Sequence, residues 1–168
     1  MSTIDIRPLC LSDCEKIGPL LREIWLDAYK GIQTDEELLE RSHEVHTPDQ
    51  IAQEIDDPNV CSVVATQGNR IIGHARSDLD GDTLEIVRLY LLREFYGKSI
   101  GKALLHEVEG YFGSNHEIWL DVWEENKRAL DFYLAQGYQI MERATEVQSQ
   151  GRDIYHCRMR KLKNIEGS

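Results

Sequence analysis

Polar and apolar residues alternate in the opening TIDIR of residues 3–7, the period of a strand with one buried face. The period then lengthens. Ile17, Leu20, Leu21, Ile24 and Ala28 recur at three- and four-residue steps, which predicts a helix with Ser12 or Asp13 as its N-cap. Thr34–Ser42 reads as a second, more polar helix. Thr47-Pro48 pairs a capping threonine with a proline whose missing N–H is harmless in a first turn, and it starts a third helix running to about Asp56. Asn59–Thr66 is rich in β-branched residues and reads as a strand. Turn signals at Gly68-Asn69 and Asp80-Gly81 then bound two more strands, Arg70–Asp78 and Thr83–Leu91, and the three form an antiparallel meander.

After the meander the pattern alternates between the two periods. Ile100, Ala103, Leu104, Val108 and Tyr111 put one apolar face on a helix over Ser99–Phe112. Glu117–Trp123 is a strand. Asn126–Gln136 is a helix with Asn126 as its N-cap and Gly137 just past its end. Tyr138–Ala144 and Asp153–Leu162 close the chain as strands. A helical crossover between 83–91 and 117–123 makes those two strands parallel. The expected class is therefore α/β (α+β): a mixed, mostly antiparallel sheet of about six to seven strands flanked by helices. With no repeat and no Pro/Gly/Ser-rich linker, residues 1–168 read as a single domain.

Composition narrows the class of function. The chain has 168 residues, 41% hydrophobic and 29% charged, enough to bury a core without disulfides or metal. A net charge of −11 argues against nucleic acid, whose phosphates need a basic footprint, and is compatible with cationic small substrates. No apolar run is long enough to span a membrane, and MSTIDIRPL lacks the basic region and apolar core of a signal peptide, so a cytoplasmic location is the default. Cys10, Cys14, Cys61 and Cys157 form no CxxC pair and read as buried or half-buried free thiols. His43 and His46 make one His-x-x-His, but nothing nearby completes a metal-ligand set, so no metal is expected.

The stretch FYGKSIGKALLH, residues 95–106, invites a phosphate. It is not a Walker loop, because that motif needs a glycine five positions before Gly97-Lys98 and position 92 is Leu. The first N–H groups of a helix have no internal partner and suit an anion, and Gly97, Ser99 and Gly101 are small enough to let one approach. Lys98 and Lys102 add positive charge. A plain helix start with Ser99 as its N-cap explains the same residues equally well.

Residues further on separate these readings. Trp119–Tyr138, WLDVWEENKRALDFYLAQGY, together with the strand Glu85–Leu91 and the turn at 96–101, resembles the GNAT superfamily of acetyl-CoA-dependent N-acetyltransferases. Asn126, Ala129, Phe132, Tyr133, Gly137 and Tyr138 match that family's Asn-x-x-Ala-x-x-Phe-Tyr-x-x-x-Gly-Phe/Tyr pattern at every position. The turn departs from the family pattern: Tyr96 stands where Arg or Gln is usual and Ser99 where the first glycine is usual. The wording Trp-Leu-x-Val-Trp-Glu-x-Asn, with Leu-Glu-Ile-x-Arg-Leu-Tyr at 84–90, is most similar to the bacterial spermidine/spermine N-acetyltransferase branch.

The resemblance implies an acyltransferase that uses acetyl-CoA as co-substrate and no metal. It places pantetheine along Leu89, Tyr90 and Leu91, and pyrophosphate on the N–H groups of Gly97, Lys98, Ser99, Ile100, Gly101 and Lys102. Asn126 would bond the cofactor or cap its helix, and Tyr133 falls at the family's general-acid tyrosine. The acceptor would be a primary amine of a small cationic molecule, a polyamine among them, attacking the thioester directly. An antibiotic or a protein N-terminus is the alternative acceptor, and a non-catalytic CoA-binding domain the alternative outside the enzymes. A proton acceptor is needed, because an alkylamine is mostly protonated at neutral pH. Glu85, alternating with Val87 and Leu89, is the first candidate and Asp121 the second. Glu85, Trp25 and Tyr29 are candidate contacts for the acceptor's cation. A homodimer is the family expectation for assembly.

Overall fold

The structure is a computed structural model and describes residues 3–162. Strand β1 (Ile4–Pro8) leads through a short 3₁₀ turn into α1 (Cys14–Ala28), α2 (Asp35–Val45) and α3 (Pro48–Asp56). The meander β2 (Val60–Gln67), β3 (Arg70–Asp80) and β4 (Thr83–Leu91) follows. A second 3₁₀ turn, Arg93–Phe95, precedes α4 (Ile100–Gly110), then β5 (Glu117–Trp123), α5 (Lys127–Ala135), β6 (Gln139–Ser149) and β7 (Arg152–Lys161).

Among the described residues the seven strands form one sheet in the order β1-β2-β3-β4-β5-β7-β6. Every neighbouring pair is antiparallel except β4 and β5, which are parallel as a helical crossover requires. No helix among the described residues is long and apolar enough to cross a membrane.

Side chains of β3 show which helices cover which face. Ser77 points to α4 and donates to the Val108 carbonyl at 2.8 Å. Its neighbour Arg76 points the other way and pairs with Glu54 of α3 at 2.9 Å. So α4 covers one face and the α1–α3 group the other, with Ile17, Leu21, Ile51, Ile72, Leu84 and Leu104 buried between the layers. Gly73 lets α4 settle closely: a Cβ there would lie 3.0 Å from both Leu104 and Leu91.

Two boundaries differ from the pattern-based expectation for physical reasons. Strand β6 continues to Ser149 instead of ending at Ala144, because Gln150 (φ 52°) and Gly151 (φ 77°) make a tight turn with both central residues left-handed, which pairs Ser149 with Arg152. Helix α1 has no side-chain cap from Asp13. That carboxylate instead accepts from the Cys10 backbone and binds the Arg7 guanidinium at 2.8 and 2.9 Å, which holds it far below the usual carboxylate range. The four cysteines are free thiols; Cys10 is exposed, against expectation, and the other three are buried.

Candidate active site

The site begins where the sheet stops being continuous. β4 and β5 pair at only three positions, Thr83–Glu117, Leu84–Ile118 and Glu85–Trp119. Beyond them the strands part. A cleft of about 970 Å³ lies here, lined by Ile86–Leu91 on one side and Asp121–Trp123 on the other. Its lining includes the first turn of α4, the face of α5 carrying Phe132 and Tyr133, and the α1–α2 connection.

The turn into α4 departs from an ordinary helix start. Gly97 has φ 75°, and Ser99, the N-cap, has φ 62° and ψ 12°, in the left-handed region. The Ser99 side chain makes no capping hydrogen bond. The Ser99 carbonyl receives the Ala103 N–H at 3.1 Å, so the N–H groups of Ile100, Gly101 and Lys102 lie ahead of the helical ladder and lack partners among the described residues. Nothing lies within 4 Å of a Cβ built on Gly97, and one on Gly101 meets only Phe132 at 4.0 Å. A cradle this open, with free donors at the positive end of a helix dipole, suits a phosphate group.

Of the residues named in the sequence, Leu89, Tyr90, Leu91, Gly97, Ser99, Ile100, Gly101, Lys102 and Asn126 all line the cleft, as do Trp25, Tyr29, Asp121 and Tyr133. Two do not. Lys98 turns outward and lies over the Phe95 ring, its Nζ 5.4 Å from the centroid. Glu85 is displaced by a bulge. Arg76 faces Arg88 and Ser77 faces Ile86, so Val87 drops out of the ladder and the alternation resets there. Glu85 and Leu89 therefore emerge on opposite faces. Both Glu85 oxygens are taken by Arg158, one at 2.8 Å and the other in a shorter bond. This corrects the expectation that Glu85 shares a cleft-lining face with Leu89.

Asp121 remains in the wall, paired with Arg158 at 3.2 Å and close to His156 at 3.7 Å. Asn126 is placed as an N-cap: its Oδ1 accepts the Ala129 N–H at 3.3 Å. Tyr133 is 9% exposed, packed edge-on against Phe132 and Tyr138. Its hydroxyl takes no hydrogen-bond partner among the described residues, and burial, then the nearness of Tyr90 and Glu109, raises its pKa above that of an ordinary phenol. Tyr138 is tied down instead, donating to Glu109 at 3.0 Å.

Trp25, Tyr29, Tyr90 and Trp123 gather as one aromatic group. Tyr29 stacks on Trp123 with centroids 5.5 Å apart and meets the Tyr90 hydroxyl at 3.4 Å. Behind Trp25 lies His46, ring centroids 4.8 Å apart, with its Nδ1 2.9 Å from Ser42 Oγ; burial lowers its pKa to about 3 and keeps it neutral. Sequence reasoning missed Tyr90 and Trp123 as partners of this group, since only the parting of β4 and β5 brings them to Tyr29. It also missed Arg128, whose guanidinium covers the Tyr96 ring at 3.8 Å and so places a cation beside the α4 turn. The only sequence signal for it is its place two residues after the Asn126 cap.

Comparison with known proteins points the same way. The sequence pattern described as the acetyltransferase (GNAT) family matches residues 19–138. The spermidine N(1)-acetyltransferase of Thermoplasma acidophilum is 28% identical over 144 residues, covering 82% of this chain and 89% of that protein. The crystal structure of the PaiA N-acetyltransferase from T. acidophilum, in complex with coenzyme A, superposes with a TM-score of 0.82 at 27% identity, over 96% of this chain and 99% of that one. The structure of smu.2055 from Streptococcus mutans, at 21% identity and a TM-score of 0.75 over 93% of this chain and 97% of that one, shares the fold.

Proposed function

The chain belongs to the GNAT family of acetyltransferases, with acetyl-CoA as its co-substrate, and on that premise we propose that it acetylates the primary amine of a small acceptor by direct attack within one ternary complex. The observation that carries this reading is the cleft itself: it joins an uncapped helix N-terminus to the hydroxyl of a largely buried tyrosine that has no partner among the described residues. When bound, acetyl-CoA supplies an acetyl group already activated as a thioester.

The residues of this chain do the rest. The N–H groups of Ile100, Gly101 and Lys102 hold phosphate, assisted by the charges of Lys102 and Arg128. The backbone of Leu89–Leu91, freed from β5, offers donors and acceptors to an extended chain, as an open strand edge does. A backbone N–H of that segment is suited to stabilise an oxyanion. Tyr133 keeps its proton well past neutral pH, which suits it to donate to a departing sulfur and unfits it as a base. Of the two carboxylates considered for the amine's proton, Asp121 lines the cleft and Glu85 does not, so Asp121 is the acceptor we retain, directly or through a water.

A second reading, that the amine belongs to a polyamine, is favoured by the name of the T. acidophilum relative and by the net charge of −11. The test is thiol release from acetyl-CoA with a panel of polyamines, amino acids, peptides and aminoglycosides. Tyr133→Phe is expected to lower kcat about hundredfold while leaving the acetyl-CoA KM nearly unchanged. An unaltered kcat removes Tyr133 as the acid.

A further inference from the structure

The charges at the acceptor end of the cleft do not suit a polycation. Two carboxylates line the wall, Asp121 and Glu125, and each is already matched by an arginine of β7: Asp121 by Arg158 at 3.2 Å, Glu125 by Arg152 at 2.8 Å. Of the cations in the lining, Arg88 is matched by Glu54 and Arg93 by Asp27, but two others are not matched. Lys30, just after α1, and Arg41, on α2, both line the cleft, are exposed, and form no ion pair among the described residues. Arg41 stands near the aromatic group, since its charge acts on the Tyr29 hydroxyl and on the His46 ring. The phosphate cradle does not account for these two residues. It lies at the start of α4, beside Phe132 and Arg128 of α5, whereas Lys30 and Arg41 come from the α1–α2 side.

A second observation points to a ligand at the same place. Trp25 lines the cleft and is 7% exposed, and its indole Nε1–H is buried with no hydrogen-bond acceptor among the described residues. A buried donor without a partner is costly unless something fills the position. The protonated nitrogens of a polyamine carry no lone pair and cannot accept from it. An anionic oxygen can, and Arg41 and Lys30 line the same cleft.

We propose that the acceptor is an amine carrying an anionic oxygen group, a carboxylate or a phosphate, within a few bonds of the nitrogen to be acetylated. That group is held by Arg41, Lys30 and the Trp25 indole N–H, while the apolar part of the molecule lies on Tyr29 and Trp123. The arrangement gives selectivity as well as affinity. A site built to hydrogen-bond a polar group rejects an analogue that lacks it, because its own donors are then left unpaired. This inference rests on the acetyl-transfer reading above and narrows its acceptor.

The experiment uses the full chain and matched acceptor pairs: free amino acids and dipeptides against their C-terminal amides, phosphoethanolamine against ethanolamine, and spermidine beside them. The anionic member of a pair is expected to exceed its neutral partner in kcat/KM by about tenfold or more. Whichever pair responds identifies the oxyanion as carboxylate or phosphate. Arg41→Gln should bring the preference to within about twofold by raising the acceptor KM, with the acetyl-CoA KM unmoved, and Arg41→Lys should keep most of it. Because Arg41 is exposed and unpaired, neither change threatens folding, and a melting curve verifies this. Spermidine or the neutral partners used as well as the anionic ones, or a preference that survives in Arg41→Gln, overturns the inference while acetyl transfer stands. No thiol release with any amine, although coenzyme A binds, overturns acetyl transfer and the inference with it.

Discussion

Helices α4 and α5 both open onto the cleft, and they begin in opposite ways. At α5, Asn126 Oδ1 turns back to accept the Ala129 N–H, so the helix satisfies one of its own first donors. At α4, Ser99 sits in the left-handed region with no such bond, and the first-turn donors are left over. The bare start is not general to this fold. Thr34 and Thr47 close full capping boxes on α2 and α3. A helix that caps itself contributes its side chains to a site, as α5 contributes Tyr133 and Arg128. At α4 the uncapped first turn itself lines the cleft.

The comparison predicts what each end will tolerate. The largest effect is expected at Gly101, in the first turn of α4. Gly101→Asp has room for its side chain and suits the helix dipole, so thermal stability should hold or rise slightly. The same carboxylate repels phosphate, and the acetyl-CoA KM should climb about hundredfold. Stability and binding moving in opposite directions would mark the α4 terminus as a binding surface; an unmoved KM would show that the phosphates lie elsewhere. At α5 the order of effects reverses. Asn126→Ala should cost about 1 kcal/mol of stability by chemical denaturation, the usual loss of a cap. Asn126→Ser keeps an accepting oxygen without adding charge and should restore most of that stability, so any remaining rise in KM reads out a contact made by the Asn126 amide N–H₂. The smallest effect is Ser99→Gly. Relief of left-handed strain, less the added freedom of the unfolded chain, should gain about 0.5 kcal/mol. If backbone donors carry the binding, the KM stays within about twofold; a tenfold rise would show that the serine hydroxyl itself ligates.

The contrast also shows what the sequence could and could not convey. Caps are local: Thr47-Pro48 and Asn126 announce themselves within four residues, and both stand where the pattern places them. Parallel pairing of β4 with β5 follows from the crossover alone. The Val87 bulge carries no such signal. Val87 is β-branched, as good a strand residue as its neighbours, and it leaves the ladder through the register of the whole β3–β4 pair. Reading straight alternation through it put Glu85 on the wrong face. Arg41 and Lys30 were invisible for a related reason. Exposed cations look alike in a sequence, and only the set of carboxylates around them reveals which ones are unmatched.

The three residue pairs between β4 and β5 have a mechanical consequence. Past Glu85 and Trp119 the seven strands behave as two fabrics, β1–β4 and β5-β7-β6, joined along a short seam. Whatever bonds to the open backbone edge of residues 86–91 lengthens that seam. Loading the co-substrate and stiffening the protein should then be a single event. The amide hydrogens of 88–91 should exchange with solvent more slowly when coenzyme A is present, and the melting temperature should climb with its concentration, as it does for any ligand that binds only the folded chain.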